Sequence, residues 1–209
     1  MGFYNDWALP RILNLMMDMK VTREERKKCL AHVTGNVLEV GFGSGHNLPF
    51  YPSTVQRVVA IDPSTHSARL ARKRIAAAPF PVEYVPLMGE HIDAPDASFD
   101  SIVSTYTLCT IPDPVAALAQ MRRVLKPEGR FFFVEHGRSA EPKVQRWQDR
   151  LNGFQRTMCG GCNMNRDIAH LVRTAGFSFD QIDQYYVPGP PKAVGYMTRG
   201  IARRAGAVV

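Results

Sequence analysis

Through residues 36–135 the chain switches repeatedly between short, mostly apolar runs and longer stretches whose apolar positions recur at helical spacing. Residues 36–40, 57–61, 82–85, 99–104 and 130–135 are the short runs, rich in Val, Ile and Phe, and they read as strands. Between them, Ser64 is positioned to cap a helix that reaches about residue 77, and another helix covers residues 113–125. Lys126-Pro127-Glu128-Gly129 reads as a turn into the fifth strand. This alternation predicts an α/β fold, an open doubly wound sheet with helices on both faces.

The flanks have a different rhythm. Leu9, Ile12, Leu13, Leu15, Met16 and Met19 recur at helical spacing behind Pro10, and a second helix is expected from Thr22 as N-cap, with Glu25 three residues on. Downstream, residues 141–158 form an amphipathic helical pattern, followed by a Gly-rich loop and a short helix over 167–175. Two last strands, 179–186 and 195–201, are separated by Pro188-Gly189-Pro190-Pro191. No repeat or linker divides the chain. One domain over residues 1–209 is expected: a helical lid (1–34), a cofactor-binding core (35–137), and a helical insert with the final strands (138–209).

Composition narrows the setting. No apolar run approaches the roughly 18 residues of a membrane-spanning helix, and the first residues lack the basic start and cleavage site of a secretory signal, so a cytoplasmic location is expected. The net charge of +7 is compatible with weak peripheral contact with an anionic membrane, but the basic residues are spread over separate helices, and solvated helix faces are the favoured reading. There is no aromatic-laced basic stripe and no Asn-Pro-Pro-Tyr motif for an extruded base, so nucleic acid is not expected as a partner. Cys159-Gly-Gly-Cys162 has the spacing of a metal or redox pair, but no second pair accompanies it, and no metal is expected.

The first strand runs into Glu39-Val-Gly41-Phe42-Gly43-Ser44-Gly45. In an open parallel sheet, ligands bind beyond the carboxyl ends of the strands, where strand order reverses. Glycines there let the backbone approach a ligand closely. A dinucleotide fingerprint would need Gly or Ala where this chain has His46, and Glu39 would set negative charge beside a pyrophosphate. S-adenosylmethionine has no phosphate, and its sulfonium and ammonium favour a nearby acid. Asp62, at the end of the second strand, is placed to accept from both ribose hydroxyls; Pro63 follows it.

These residues resemble the class I methyltransferases, in the branch that includes ubiquinone-biosynthesis methyltransferases. The matching pieces are residues 37–45, Ala60-Ile61-Asp62-Pro63-Ser64, Ala97-Ser98-Phe99-Asp100 and Val124-Leu125-Lys126-Pro127-Glu128-Gly129. Within that branch, Phe50-Tyr51-Pro52, Thr107-Leu108-Cys109, Phe133-Val134-Glu135-His136 and Gly161-Cys162-Asn163 with Arg166 resemble the family whose animal members methylate alkyl thiols. The resemblance implies a Rossmann-like seven-stranded mixed sheet with the last strand reversed. It implies S-adenosyl-L-methionine as cofactor, leaving as S-adenosyl-L-homocysteine. It also implies an adenine contact by Gly89, Glu90 and His91, a cofactor-lining role for Ser104, Thr105 and Tyr106, and a structural role for Asp100.

Methyl transfer from a sulfonium is an in-line displacement, so positioning and water exclusion are the main tasks. His136, after the fifth strand, is the candidate catalytic base; holding a strand end is the alternative reading of it. The acceptor is expected under the lid and insert, at Tyr4, Trp7, Tyr106, Met158 and Asn163, each equally readable as core packing. Thiol S-methylation of a small molecule is the leading function. Methylation of a phospholipid head group or quinone precursor is the alternative, and a non-catalytic cofactor-binding partner protein the third; either a monomer or a homodimer is compatible.

Overall fold

The computed structural model describes residues 14–206. Helix α1 (Lys20–Leu30) leads into β1 (Gly35–Val40), β2 (Val55–Ile61), α2 (Thr65–Ala76), β3 (Val82–Val85) and β4 (Phe99–Thr105). Helix α3 (Pro114–Val124), β5 (Leu125–His136), α4 (Pro142–Met158), α5 (Ile168–Thr174), β6 (Phe177–Tyr186), the short α6 (Lys192–Gly195) and β7 (Tyr196–Arg204) complete the chain. The strands form one sheet in the order β3-β2-β1-β4-β5-β7-β6. Strands β1 to β5 pair in parallel, and β7 inserts antiparallel between β5 and β6.

Successive side chains of a strand point to opposite faces, so a sheet covered on both sides needs apolar residues at consecutive positions. Strand β5 shows this directly. Phe131 and Phe133 pack with Leu38, Ile102, Leu118, Met121, Ile168 and Val172 on the α3/α5 face. Phe132 and Val134 pack with Val37, Val58, Val103, Leu30 and Ala71 on the α1/α2 face. The continuous apolar run thus feeds two cores.

Side-chain caps open three of the helices, at Ser64 as expected and also at Asp113 and Asp167. Ser64 accepts from Ser67 N at 3.2 Å, Asp113 from Ala116 N at 2.9 Å and Asp167 from His170 N at 2.9 Å, each satisfying an amide that the first helical turn leaves free. Two expectations are corrected. Helix α1 begins at Lys20, and Thr22 is inside it: its hydroxyl donates back to Met19 O at 2.8 Å instead of capping an amide. Lys126-Pro127-Glu128-Gly129 does not stand apart as a turn but bulges within β5, where Phe99 pairs with Leu125 and Ser101 already with Arg130. Asp100 pins that edge, accepting from Asn36 N at 2.9 Å and from Lys126 Nζ at 2.6 Å.

Candidate active site

Strand order reverses at β1, between β2 and β4, and the carboxyl ends of β1, β2, β4 and β5 open into a cavity of about 1120 Å³. That exceeds the roughly 300–1,000 Å³ of a one-ligand pocket. It is room for a cofactor and a second molecule.

One end is built on the glycine loop. Asp62 is 9% exposed and uses one oxygen on Gly43 N and the other on Ser64 N, both at 2.8 Å, so it holds the loop and the start of the next helix together. Burial raises its pKa, partly offset by those two amides. Gly41 has φ +75° and sits so close to Thr107 that a Cβ would fall 2.1 Å from its side chain. Gly43 has φ +55°, but nothing lies within 4 Å of the position a Cβ would take. An open cradle is left on the ligand side. Ser44 Oγ donates to Asn14 Oδ1 at 2.7 Å, and His46 Nε2 lies 3.0 Å from the same oxygen, which straps the amino-terminal stretch across the loop. Burial, with Arg74 next, pushes His46 down to about 4, so it straps as a neutral ring.

Glu39 is buried behind the loop, accepting from Tyr51 Oη at 2.6 Å and Asn47 Nδ2 at 2.9 Å. Burial pushes its carboxyl up to about 7 against those two hydrogen bonds. Arg26, from α1, is 4% exposed; one guanidinium nitrogen donates to Met17 O at 2.8 Å, and its Nε has no hydrogen-bond partner among the described residues. Its guanidinium lies 5.0 Å from the Tyr106 ring centroid, and Tyr106 has φ +57°, a conformation that costs energy for a tyrosine. These groups fit a nucleoside with a charged amino-acid tail. Asp62 suits the ribose, Glu39 a cation, and the unsatisfied Arg26 Nε a carboxylate.

The other end is sulfur-rich. Cys109, from the loop after β4, and Cys159 and Cys162, from the loop after α4, line the cavity with His136 at the end of β5. His136 Nδ1 is 3.4 Å from Cys162 Sγ, while its Nε2 is buried with no partner. A hydrogen bond from Cys109, with His136 adding to it, holds Cys162 well below the value of a free thiol, and Cys109 is pushed up in return. No cluster of three metal-ligating side chains occurs among the described residues.

Of the residues expected at the cofactor, Glu39, Gly41, Phe42, Gly43, Ser44, Asp62, Pro63, Gly89, Glu90, Thr105 and Tyr106 line the cavity, as does His136. Five expected residues do not line it. Gly45 packs against Phe42 and Leu48, and His91 is exposed. Ser104 donates to Glu135 at 2.9 Å, on the far side of the strand end. Asn163 spends its amide on Cys109 O and Gly161 O, at 3.2 and 2.9 Å, and Met158 is 39% exposed on α4. Tyr4 and Trp7 lie outside the described residues. Arg166, named in the sequence only as part of a family-resembling piece, donates to Leu108 O at 2.6 Å and Ile111 O at 2.7 Å and so fixes the loop that carries Cys109.

A family model described as a methyltransferase domain matches residues 38–133, the span from the glycine loop to β5. The chain is 31% identical over 144 residues to the phosphatidylethanolamine N-methyltransferase of Cereibacter sphaeroides, covering 66% of this chain and 70% of that one. The chain belongs to the class I methyltransferases. Human thiol S-methyltransferase TMT1A is another relative, 33% identical over 159 residues, which are 73% of this chain. The chain spans 64% of that relative's length. A solved methyltransferase of Bacillus halodurans has the same fold, with a TM-score of 0.73 at 16% identity over 88% of this chain and 99% of its own.

The matched span contains the glycine loop, Glu39 and Asp62. Sequence reasoning passed over Arg26 and Asn47, and it singled out Cys109 and Cys162 without bringing them together. Cys109 and Cys162 meet only because Arg166 and Asn163 bring two distant loops together.

Proposed function

We propose that this methyltransferase transfers the methyl group of S-adenosylmethionine to the sulfur of a small apolar thiol. The observation that carries the reading is the buried Cys109–Cys162–His136 group at the end of the cavity away from Asp62. When bound, the cofactor supplies an electrophilic methyl group. Asp62 would hold the ribose, Arg26 the amino-acid carboxylate, and Glu39 would lend negative charge to the cationic part.

Thiols react as thiolates. The Cys109 hydrogen bond and His136 hold Cys162 below an ordinary thiol, so its sulfur would accept the hydrogen on His136 Nδ1, a tautomer that leaves a lone pair on Nε2. His136 Nε2 would take the proton of the acceptor thiol; the bound cofactor would supply the methyl group to the thiolate sulfur, its own sulfonium–methyl bond breaking to leave S-adenosyl-L-homocysteine. Cys162 stabilises the imidazolium that forms, while the buried surroundings exclude competing water. Likeness to the human thiol S-methyltransferase supports this acceptor class, and likeness to the bacterial phosphatidylethanolamine N-methyltransferase supports a head-group amine as second reading.

A labelled methyl donor offered with alkyl thiols, phospholipids and phenols separates the two. Methyl thioethers identified by mass are the expected product; methylated phospholipid alone sinks the thiol reading. His136→Ala is expected to lower thiol turnover by about a hundredfold, the usual scale of a lost general base, with cofactor affinity unchanged by calorimetry. Full turnover in this variant removes His136 from the chemistry.

A further inference from the structure

Helix α4 has two unlike faces. Val144 and Gln148 turn inward, and Gln148 is fully buried, donating to Gly137 O at 3.0 Å and Ala193 O at 3.1 Å. Trp147, Leu151, Phe154 and Met158 turn outward, with 58, 40, 68 and 39% exposure. Their spacing of four, three and four residues sets them in a single stripe along the helix. Scattered exposed apolar residues are ordinary. Four in line, two of them large aromatics, mark a surface that another body covers.

The charges beside the stripe indicate which body. Lys143, Arg146 and Arg150 are exposed along its edge, and none pairs with a carboxylate among the described residues. Arg150 lies 5.8 Å from the Trp147 ring centroid, so cation and aromatic share the edge. Asp149, the one acid on the helix, is turned away and bound to Arg138 at 2.8 Å. An apolar stripe with aromatics, bordered by unpaired cations and free of acids, is the pattern of a helix lying in the interface of an anionic bilayer. No described helix is long and apolar enough to cross a membrane.

Its position ties it to the site. Gln155 and Cys159, at the carboxyl end of α4, line the cavity, and Met16, Met19 and Met88 both line it and are about half exposed. We propose that the outward face of α4 docks on an anionic lipid bilayer and brings the cavity mouth to the membrane, so that apolar acceptors enter from the lipid. The inference does not depend on the acceptor being a thiol, and its test reads binding, not methylation.

The full chain is sedimented with vesicles of phosphatidylcholine alone and of phosphatidylcholine with phosphatidylserine. Expected is binding to the anionic vesicles that weakens with salt, and, in a Trp7→Phe background that leaves Trp147 as the one tryptophan, a blue shift of its fluorescence. Two double variants, Trp147→Ser with Phe154→Ser and Arg146→Glu with Arg150→Glu, are each expected to weaken partition by at least about tenfold. Because these side chains are exposed, melting temperatures stay unchanged. Absence of binding to either vesicle overturns the proposal. So does equal binding by wild type and both variants, which assigns docking elsewhere, or a wild-type dimer that both variants turn into monomers, which assigns the stripe to a second copy.

Discussion

On the proposed reading, the cofactor end of the cavity is made largely by one short stretch of chain, whereas the acceptor end is gathered from widely separated ones. Residues 39–47 and Asp62 shape the first with backbone as much as side chain, Asp62 gripping the Gly43 amide directly. Cys109, His136 and Cys162 arrive at the second from the loop after β4, the end of β5 and the loop after α4. A ligand common to a whole family is met by main-chain geometry that substitutions leave in place. A ligand that differs between members is met by loops free to vary independently.

Gly43→Val tests the backbone side of this contrast and carries the largest expected effect. The residue has φ +55°, so a β-branched side chain strains the turn by about 1–2 kcal/mol, and the side chain fills the open cradle. S-adenosylmethionine affinity measured by calorimetry is expected to fall by more than about a hundredfold, roughly 2.8 kcal/mol, with the circular dichroism of the fold kept. Retained affinity places the cofactor elsewhere and dissolves the division.

The two ends also differed in what could be read from sequence. Glycines at 41, 43 and 45 between Glu39 and Asp62 are legible because close approach and left-handed backbone leave few residue choices, and the spacing is local. The strands were legible because a sheet buried on both faces needs unbroken apolar runs. Cys109 and Cys162 carry no such signal: their meeting depends on Arg166 and Asn163 reaching carbonyls of another loop. Arg26 lies in a run of charged residues, where nothing local marks the one that is 4% exposed. Thr22 looked like a cap and instead bonds carbonyls, since helix α1 starts two residues earlier.

An intermediate effect, set by pH, sharpens the electrostatic side. Glu39 is pushed up by burial from 4.5 to about 7, so at pH 5 it is mostly protonated in the free protein. A cationic ligand beside it favours the ionised form, and binding then releases a proton. Affinity is expected to rise between pH 5 and 7 by up to about tenfold per unit, and Glu39→Gln flattens that slope. For folding, the sign is opposite. A raised carboxylate contributes stability that is whole below its unfolded value of 4.5 and is lost as pH climbs through about 7. Glu135 is raised in the same way. The unliganded protein is therefore expected to melt lower at pH 8 than at pH 5, and a melting temperature that climbs over this range contradicts the burial of these two acids as neutral groups.

The smallest expected effect falls on Ser104, where family resemblance and geometry disagree. Resemblance puts Ser104 at the cofactor; the structure turns its hydroxyl to Glu135 at 2.9 Å, with the Thr107 amide 3.0 Å from the same oxygen. Glu135 also reaches the Cys109 amide at 3.4 Å, so this cluster braces the acceptor loop and not the glycine loop. Ser104→Ala leaves Glu135 both amides and removes one hydrogen bond, for a stability loss of about 1 kcal/mol. Cofactor affinity is then expected to stay within about twofold, since a side chain without contact to the ligand adds nothing to its binding. The adjacent Thr105→Val is the control. Thr105 lines the cavity and accepts from Asn47 Nδ2 at 3.1 Å, the same amide that holds Glu39, so its loss is expected to weaken the cofactor more than Ser104→Ala does. If Ser104→Ala proves the more damaging of the two for cofactor binding, the strand end belongs to the cofactor after all and the boundary between the two ends moves past β4.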